Sequence, residues 1–270
     1  MDLMGKVVVV TGGGNGIGQQ IVLALLNKNA IVAAADINLD GLIDTQTKAG
    51  PLATRLSLHQ TDISSRESVQ QLCDEVTHKH QYVDVIINNA GVIHPFVPVS
   101  DLDDAVIKKV INVNLFGVIN MTKVFLPMLL NRPVAHIVNI SSMGGLFAFP
   151  KQTIYGASKA AVKLLSEGLY AELKQTNVGV TVVFPGAVKT NITKNCDSHP
   201  VALDKYERFH PGMSPLITAQ RIVTAIEKNT FRLHIGADSR FLSLLYRLSP
   251  NLAINMLAKV MRMAMDDKQK

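Results

Sequence analysis

The segment from Lys6 to Asp36, KVVVVTGGGNGIGQQIVLALLNKNAIVAAAD, limits the folds open to this chain more than any other stretch. Lys6 to Thr11 is a short β-branched run bounded by glycines, the pattern of a strand buried on both faces. Gly16 to Lys28 follows with Ile17, Ile21, Val22, Leu25 and Leu26 at helical spacing, and Ala30 to Asp36 is a second buried strand. Strand, helix and strand within about 30 residues make a parallel βαβ unit. Between the first strand and the helix lies Thr11-Gly12-Gly13-Gly14-Asn15-Gly16-Ile17-Gly18. Glycines let the backbone turn sharply and approach a pyrophosphate closely, while a helix N-terminus supplies free N–H groups and partial positive charge. In this strand–helix context the turn predicts dinucleotide binding.

Asp36 closes the second strand, 18 residues after Gly18. An acidic side chain there accepts hydrogen bonds from both adenosine ribose hydroxyls and repels a 2′-phosphate. Neither Asn15 nor Ile37-Asn38 offers the arginine or lysine that such a phosphate would want. The pattern therefore predicts NAD(H) in preference to NADP(H).

The same alternation continues along the chain. Helices are expected near Leu39 to Ala49, Ser65 to His80, Leu102 to Val110, Val113 to Leu130 and Thr153 to Gln175, with strands at Ala53 to Gln60, Val83 to Asn88, Ala135 to Ser141 and Val178 to Phe184. A helix near Ile217 to Lys228 and a strand at Phe231 to Ile235 complete the pattern. No compositional break interrupts it, which favours one doubly wound α/β domain over two. Residues 191–215 are polar, with two histidines and several prolines, and read either as an insertion over the carboxyl edge of the sheet or as a plain surface loop. The last segment, about 238–270, is an amphipathic helical pair rich in Leu and Met. It suits packing on the core or a subunit neighbour, or else a membrane-surface or substrate-channel role.

Composition removes several classes of function. Hydrophobic residues at 47% and charged ones at 18% describe a globular chain. The N-terminus lacks the basic leader and cleavage site of a secretory signal, and no run of about 18 uncharged apolar residues appears, so no membrane span is expected. Cys73 and Cys196 form no metal or redox spacing, and no metal is expected; a cytoplasmic protein fits. The net charge of +6 is concentrated late. From Ser239 onward six Lys and Arg face two Asp, a net +4, which leaves the body only +2 and gives no nucleic-acid motif.

Ser141 to Lys159 carries the candidate chemistry. Tyr155 and Lys159 are four residues apart and share a helix face. A neighbouring ammonium favours the phenolate, which makes a phenol a usable acid or base near neutral pH. Ser141 and Ser142 precede them, and in an extended strand their side chains point to opposite faces.

Taken together, the TGxxxGxG turn, Asp62 after the third strand, Asn88-Asn89-Ala90-Gly91, Asn114, Ser142, the YxxxK pair Tyr155/Lys159, and Pro185-Gly186 with Thr190 resemble the classical short-chain dehydrogenase/reductase family. The resemblance implies a single-domain Rossmann fold, a doubly wound parallel sheet of about seven strands flanked by helices, here with a C-terminal helical extension. It implies Tyr155 as the proton-exchanging group, Lys159 lowering its pKa and binding the nicotinamide ribose, Ser142 holding the substrate oxygen, and Asn114 supporting a water relay. Gly12, Asn15, Gly16, Ile17, Gly18, Asp36 and Ile37 would hold the adenosine and phosphates, and Asp62 and Ile63 would meet the adenine. Asn89, Ala90 and Gly91 would line the adenosine side of the cleft, and Pro185, Gly186, Val188 and Thr190 would border the nicotinamide.

Met143, Phe147 and Phe149, with His94 and its apolar neighbours Ile93 and Phe96, would form a mostly apolar cleft mouth suited to a lipophilic alcohol or ketone. His94 reads either as a substrate contact or as a solvent-facing loop residue. The runner-up activity is an NADPH-dependent 3-ketoacyl-type reductase, and a non-catalytic NAD-binding sensor is the third. By the same resemblance the helices beginning near Val113 and Thr153 would pair in a homodimer or homotetramer, with Ala157, Ala160 and Ala161 allowing close approach.

Overall fold

The computed structural model describes residues 1–147, 149–189 and 212–266. Its strands are β1 (Val7–Thr11), β2 (Ile31–Asp36), β3 (Leu56–Gln60), β4 (Val85–Asn88), β5 (Ala135–Ile140), β6 (Val178–Pro185) and β7 (Arg232–Ile235). They form one sheet in the order β3-β2-β1-β4-β5-β6-β7, and every pairing is parallel. The chain reverses direction across the sheet between β1 and β4. A crevice opens at such a switch point outside the carboxyl ends of the strands.

The helices among the described residues are α1 (Gly16–Asn27), α2 (Leu39–Ala49), α3 (Arg66–His80), α4 (Asp104–Ile111), α5 (Gly117–Leu130), α6 (Thr153–Glu172), α7 (Pro215–Glu227), α8 (Ala237–Leu248) and α9 (Pro250–Asp266). They cover both faces of the sheet, and the alternation of side chains along each strand divides the core in two. Val8 and Val10 of β1 join Ile21, Leu25, Ile222 and Ile226 on one face, whereas Val7 and Val9 join Val69, Leu72, Met121 and Phe125 on the other. The four valines are fully buried or nearly so, which explains why β1 reads as an unbroken apolar run.

Element boundaries depart from the sequence expectation in instructive ways. Gly50–Arg55 forms a 3₁₀ turn started by Pro51, so β3 begins at Leu56 instead of Ala53. The two helices expected around residues 102–130 are one continuous helix, because Asn112–Phe116 makes a π turn that joins α4 to α5. That helix, Asp104–Leu130, is long and apolar enough to cross a membrane by length and composition alone. Here it is a layer of the fold, with Met121, Phe125 and Leu129 buried against the sheet. At the amino-terminal edge the fully buried Asp84 accepts from Val7 N at 3.0 Å and from Arg132 Nε at 2.9 Å, tying β1 to the α5–β5 connection.

Candidate active site

The phosphate turn is built by close backbone approach. Thr11 Oγ1 donates to Ile87 O at 3.3 Å and accepts from Asn89 N at 3.0 Å and Ala90 N at 3.1 Å. Asn89 Nδ2 donates to Thr11 O at 3.0 Å, so the end of β1 and the loop after β4 form one stitched wall. Gly12 sits at φ +68°, and a Cβ there would lie 2.9 Å from Ala90 Cα. A Cβ on Gly18 would overlap the carbonyl oxygen of Gly12. Asn15 precedes α1 without capping it through its side chain, and the first turn of α1 holds no acidic residue. Exposed N–H groups above a cradle that only hydrogen atoms fit are what an anionic pyrophosphate requires.

Asp36 hangs over this turn. Its Oδ2 accepts from Gly14 N at 2.9 Å and its Oδ1 from Asn38 N at 3.0 Å. Each carboxylate oxygen keeps a further lone pair. The group is thus held rigidly while it can still accept from a diol. Ile37 beside it is 65% exposed. Asp62 is partly engaged, with Oδ1 accepting from Ser64 N and Ser64 Oγ. Ile63, expected beside the adenine, buries its side chain against Gly117.

On the other side of the crevice, Gly91, Asn114 and Lys159 converge. A Cβ on Gly91 would come within 3.1 Å of Lys159 Nζ and 3.2 Å of Asn114 Oδ1. Asn114 lies in the π turn, a feature that often marks functional sites. Its Oδ1 accepts from Val92 N at 2.8 Å, and its Nδ2 donates to Val92 O at 2.9 Å and Ser158 Oγ at 3.0 Å. The amide therefore holds the loop after β4 against α6.

Ser142 and Tyr155 meet where β5 ends and α6 begins. Ser142 Oγ accepts from Gly144 N at 3.0 Å, and a Cβ on Gly144 would lie 3.5 Å from Ser142 Oγ and 3.6 Å from the Tyr155 ring, so the two side chains share one corner. Ser141 faces elsewhere and donates to Lys159 O at 2.8 Å, as the alternation of side chains along an extended segment requires. Lys159 is buried, its Nζ donating to Ile140 O at 2.9 Å and lying 6.0 Å from the Tyr155 ring centre. Burial lowers the Lys159 pKa to about 8.

The phenol does not follow the sequence expectation. Burial pushes the Tyr155 pKa up, and the opposing influence comes from the Ser142 hydrogen bond. Lys159 spends a donor on the Ile140 carbonyl and is not among the influences on the phenol, so the loss of solvent decides the direction.

The expected substrate wall is only partly exposed. Met143 is half-buried, Phe147 is buried, and the Phe147 and Phe149 rings meet tilted by 50° with centroids 5.4 Å apart. The solvent-facing alternative for His94 does not hold: the residue is 1% exposed, and its Nδ1 bonds to Pro95 O at 2.7 Å. Its carbonyl accepts from Gln152 Nε2 at 2.7 Å, so His94 fastens the loop to the start of α6. The reason is tertiary: the Gln152 side chain, itself buried, holds the loop through the His94 carbonyl.

Pro185 ends β6, Gly186 N donates to Ile235 O at 2.8 Å, and Val188 pairs with Met213 in a short parallel bridge. Thr190 and residues 191–211 lie outside the described residues. One participant here was missed. Asp238, in the first turn of α8, accepts from Ala187 N at 2.9 Å, and its carboxylate fills the space that a side chain on Gly186 would need. The two positions are 51 residues apart, and no local pattern links them.

The glycine turn with Asp36 above it, and Ser142 and Tyr155 near buried Lys159, thus gather at the carboxyl ends of the strands. Residues 6–200 match the family model for the short chain dehydrogenases. The chain belongs to the short-chain dehydrogenase/reductase family. Among its relatives is the protein SadH of Mycobacterium tuberculosis, 34% identical over 252 residues, which cover 90% of this chain and 91% of SadH. A Burkholderia phymatum short-chain dehydrogenase/reductase solved with NAD superposes with a TM-score of 0.85 at 26% identity, over 93% of this chain and 96% of that one. A Burkholderia cenocepacia short-chain dehydrogenase solved with NADP superposes at 0.79 with 26% identity, over 95% and 99%. This short-chain dehydrogenase/reductase is accordingly an oxidoreductase of a family that uses a nicotinamide dinucleotide.

Proposed function

We propose that this enzyme interconverts a secondary alcohol and a ketone, prefers NAD(H), and acts on a lipophilic substrate such as a steroid-like or other lipid alcohol. The observation that carries the chemistry is the gathering of Ser142 and Tyr155 around Gly144 beside buried Lys159, at the edge of the Gly12–Gly18 cradle. A bound nicotinamide dinucleotide would supply or accept the hydride. Ser142 holds the substrate oxygen, and Tyr155 gives it a proton on reduction or takes one on oxidation. Lys159, with a pKa of about 8, stands ready to exchange a proton and to bond the nicotinamide ribose. Asn114 keeps Val92 and Ser158 in place, and Ser158 Oγ donates in turn to the Tyr155 backbone carbonyl, so the loop after β4 is tied to the first turns of α6.

Gly12, Asn15, Gly16, Ile17 and Gly18 form the phosphate side of the dinucleotide site, and Asp36 and Ile37 its adenosine ribose side. Asp62 and Ile63, with Asn89, Ala90 and Gly91, flank the adenine and the adjoining wall. Pro185, Gly186 and Val188 border the nicotinamide, with Thr190 following them in sequence. Met143, Phe147 and Phe149 supply the apolar contacts of the substrate, and His94 supports them from beneath.

The preference for NAD(H) rests on Asp36: both of its oxygens are fixed by backbone N–H groups, so it cannot swing away from a 2′-phosphate. Solved relatives hold either cofactor, so the test is direct. Catalytic efficiency with NADH should exceed that with NADPH by at least about tenfold, the effect of roughly 1.4 kcal/mol of charge repulsion. A strong NADPH preference would instead favour the ketoacyl-type reductase. Tyr155→Phe should lower turnover by about 10²–10⁴-fold, the usual worth of a positioned acid–base group, with NADH binding held within a few fold. Retained turnover would end the assignment.

The proposal takes residues 1–270 as one domain acting in the cytoplasm, where the free thiol Cys73 stays reduced. It also takes the protein as a homodimer or homotetramer. Supporting this, α6 leaves Ala157 and Ala160 at its surface with Leu164 67% exposed, an outward face of small and apolar residues.

A further inference from the structure

In a soluble helix the apolar stripe ordinarily faces the core. Helix α8 half-buries Leu242 and Leu245 but carries a second apolar set on its outer side. Its rotation is set by polar anchors at its start: Asp238 accepts from Ala187 N, and the fully buried Ser239 donates from Oγ to Phe184 O at 2.9 Å. With that side turned inward, Phe241, Leu244 and Leu248, at i, i+3 and i+7, point outward and are 61%, 57% and 76% exposed. Arg240 and Arg247 are exposed on the same face and flank the stripe along one side. Between α7 and α8 a groove of about 490 Å³ brings Arg221 beside Arg240, with Phe241 and Leu244 on its wall.

We propose that this face docks on an anionic phospholipid surface, α8 lying in the plane of the interface. Phe241, Leu244 and Leu248 enter the acyl boundary while Arg240 and Arg247 sit at the phosphates. The charge pattern selects this occupant over a second copy of the chain. From residue 237 to residue 265 the one acidic residue is Asp238, and its carboxylate is already bonded to Ala187 N and Ser239 N. An isologous contact through this face would set arginine against arginine with no carboxylate to answer it. A phosphate-rich surface satisfies every guanidinium. The docking element is continuous with the rim of the catalytic crevice through Asp238, which suits a lipid-soluble substrate.

Flotation of the full chain with vesicles tests this independently of turnover. The protein should float with phosphatidylcholine vesicles containing about 30 mol% phosphatidylglycerol, bind phosphatidylcholine alone severalfold more weakly, and be released as salt rises. Phe241→Ser/Leu248→Ser should cut the bound fraction at least about tenfold with an unchanged melting temperature, since these side chains are exposed. Arg240→Gln/Arg247→Gln should abolish the preference for anionic vesicles. Failure of the wild type to float, or flotation of the Ser/Ser variant like wild type, would overturn the proposal. So would light scattering that shows the Ser/Ser variant dissociating an oligomer formed by wild type, because that would assign the face to a second copy.

Discussion

The crevice wall and the C-terminal helical pair invert the usual partition of residues in opposite senses. In the wall, groups that water would readily solvate are buried and paired: Asn114 is fully buried with three hydrogen bonds, and Lys159 is buried on a carbonyl. In α8, groups that water rejects are turned outward by two polar anchors. The first inversion costs desolvation free energy and holds a geometry in return. The second leaves apolar area available to something outside the chain. Departure from the folding optimum thus marks two different jobs, reaction at one place and attachment at the other.

This contrast can be broken by substitution. The broadest effect, on stability and binding together, is expected at Gly18→Val, whose side chain would collide with the Gly12 carbonyl oxygen. Overpacking on that scale costs about 3 kcal/mol of stability, and isothermal titration should show dinucleotide binding lost with it. Leu25→Ala, at a fully buried site, should cost about 2–5 kcal/mol in chemical denaturation, whereas Leu248→Ala, the same change on the outward stripe, should stay within about 0.5 kcal/mol.

Two pH windows sharpen the buried side of the comparison. Lys159 has its pKa lowered from 10.5 to about 8, so between those values the unfolded chain holds a proton that the folded chain has released. Stability from this group therefore rises with pH across that window, and below it the cost of a buried ammonium is paid in full. Lys159→Met should remove that rise, a change of about 2–3 kcal/mol in the difference between variant and wild type, read from urea midpoints at pH 8 and above.

His136 behaves alike at the acid end. Burial among the strands lowers its pKa from 6.5 to about 4, and its Nε2 pairs with Thr181 Oγ1 at 2.7 Å. Its contribution is complete above pH 6.5 and is lost as pH falls toward 4, because the unfolded chain takes up the proton first. His136→Gln should flatten the acid limb of the stability profile by about 2 kcal/mol.

Much of this architecture was legible because the βαβ code is local. Val7–Val10, the glycine turn and Asp36 each announce their place within a few residues, whereas strand alternation only set Ser141 and Ser142 on opposite faces and the choice of Ser142 came from the family resemblance. What escaped the sequence was tertiary. The π turn at Asn112–Phe116 leaves no compositional trace, so one helix was expected as two. His94 was open between a substrate contact and a surface residue, and only the packing of its loop on Gln152 placed it inside. The effect of Lys159 on Tyr155 could not be weighed until the burial of both was known. Asp238 was invisible because its partner is an amide 51 residues away.

That carboxylate has a mechanical consequence. Asp238 is the fulcrum of a lever whose far end, Leu248, stands about 15 Å away at 1.5 Å of rise per residue. Its short end is the Ala187 amide on the crevice rim. A load that tilts α8 is delivered to the rim through this bond and, one residue on, to the end of β6 through Ser239 Oγ and the Phe184 carbonyl.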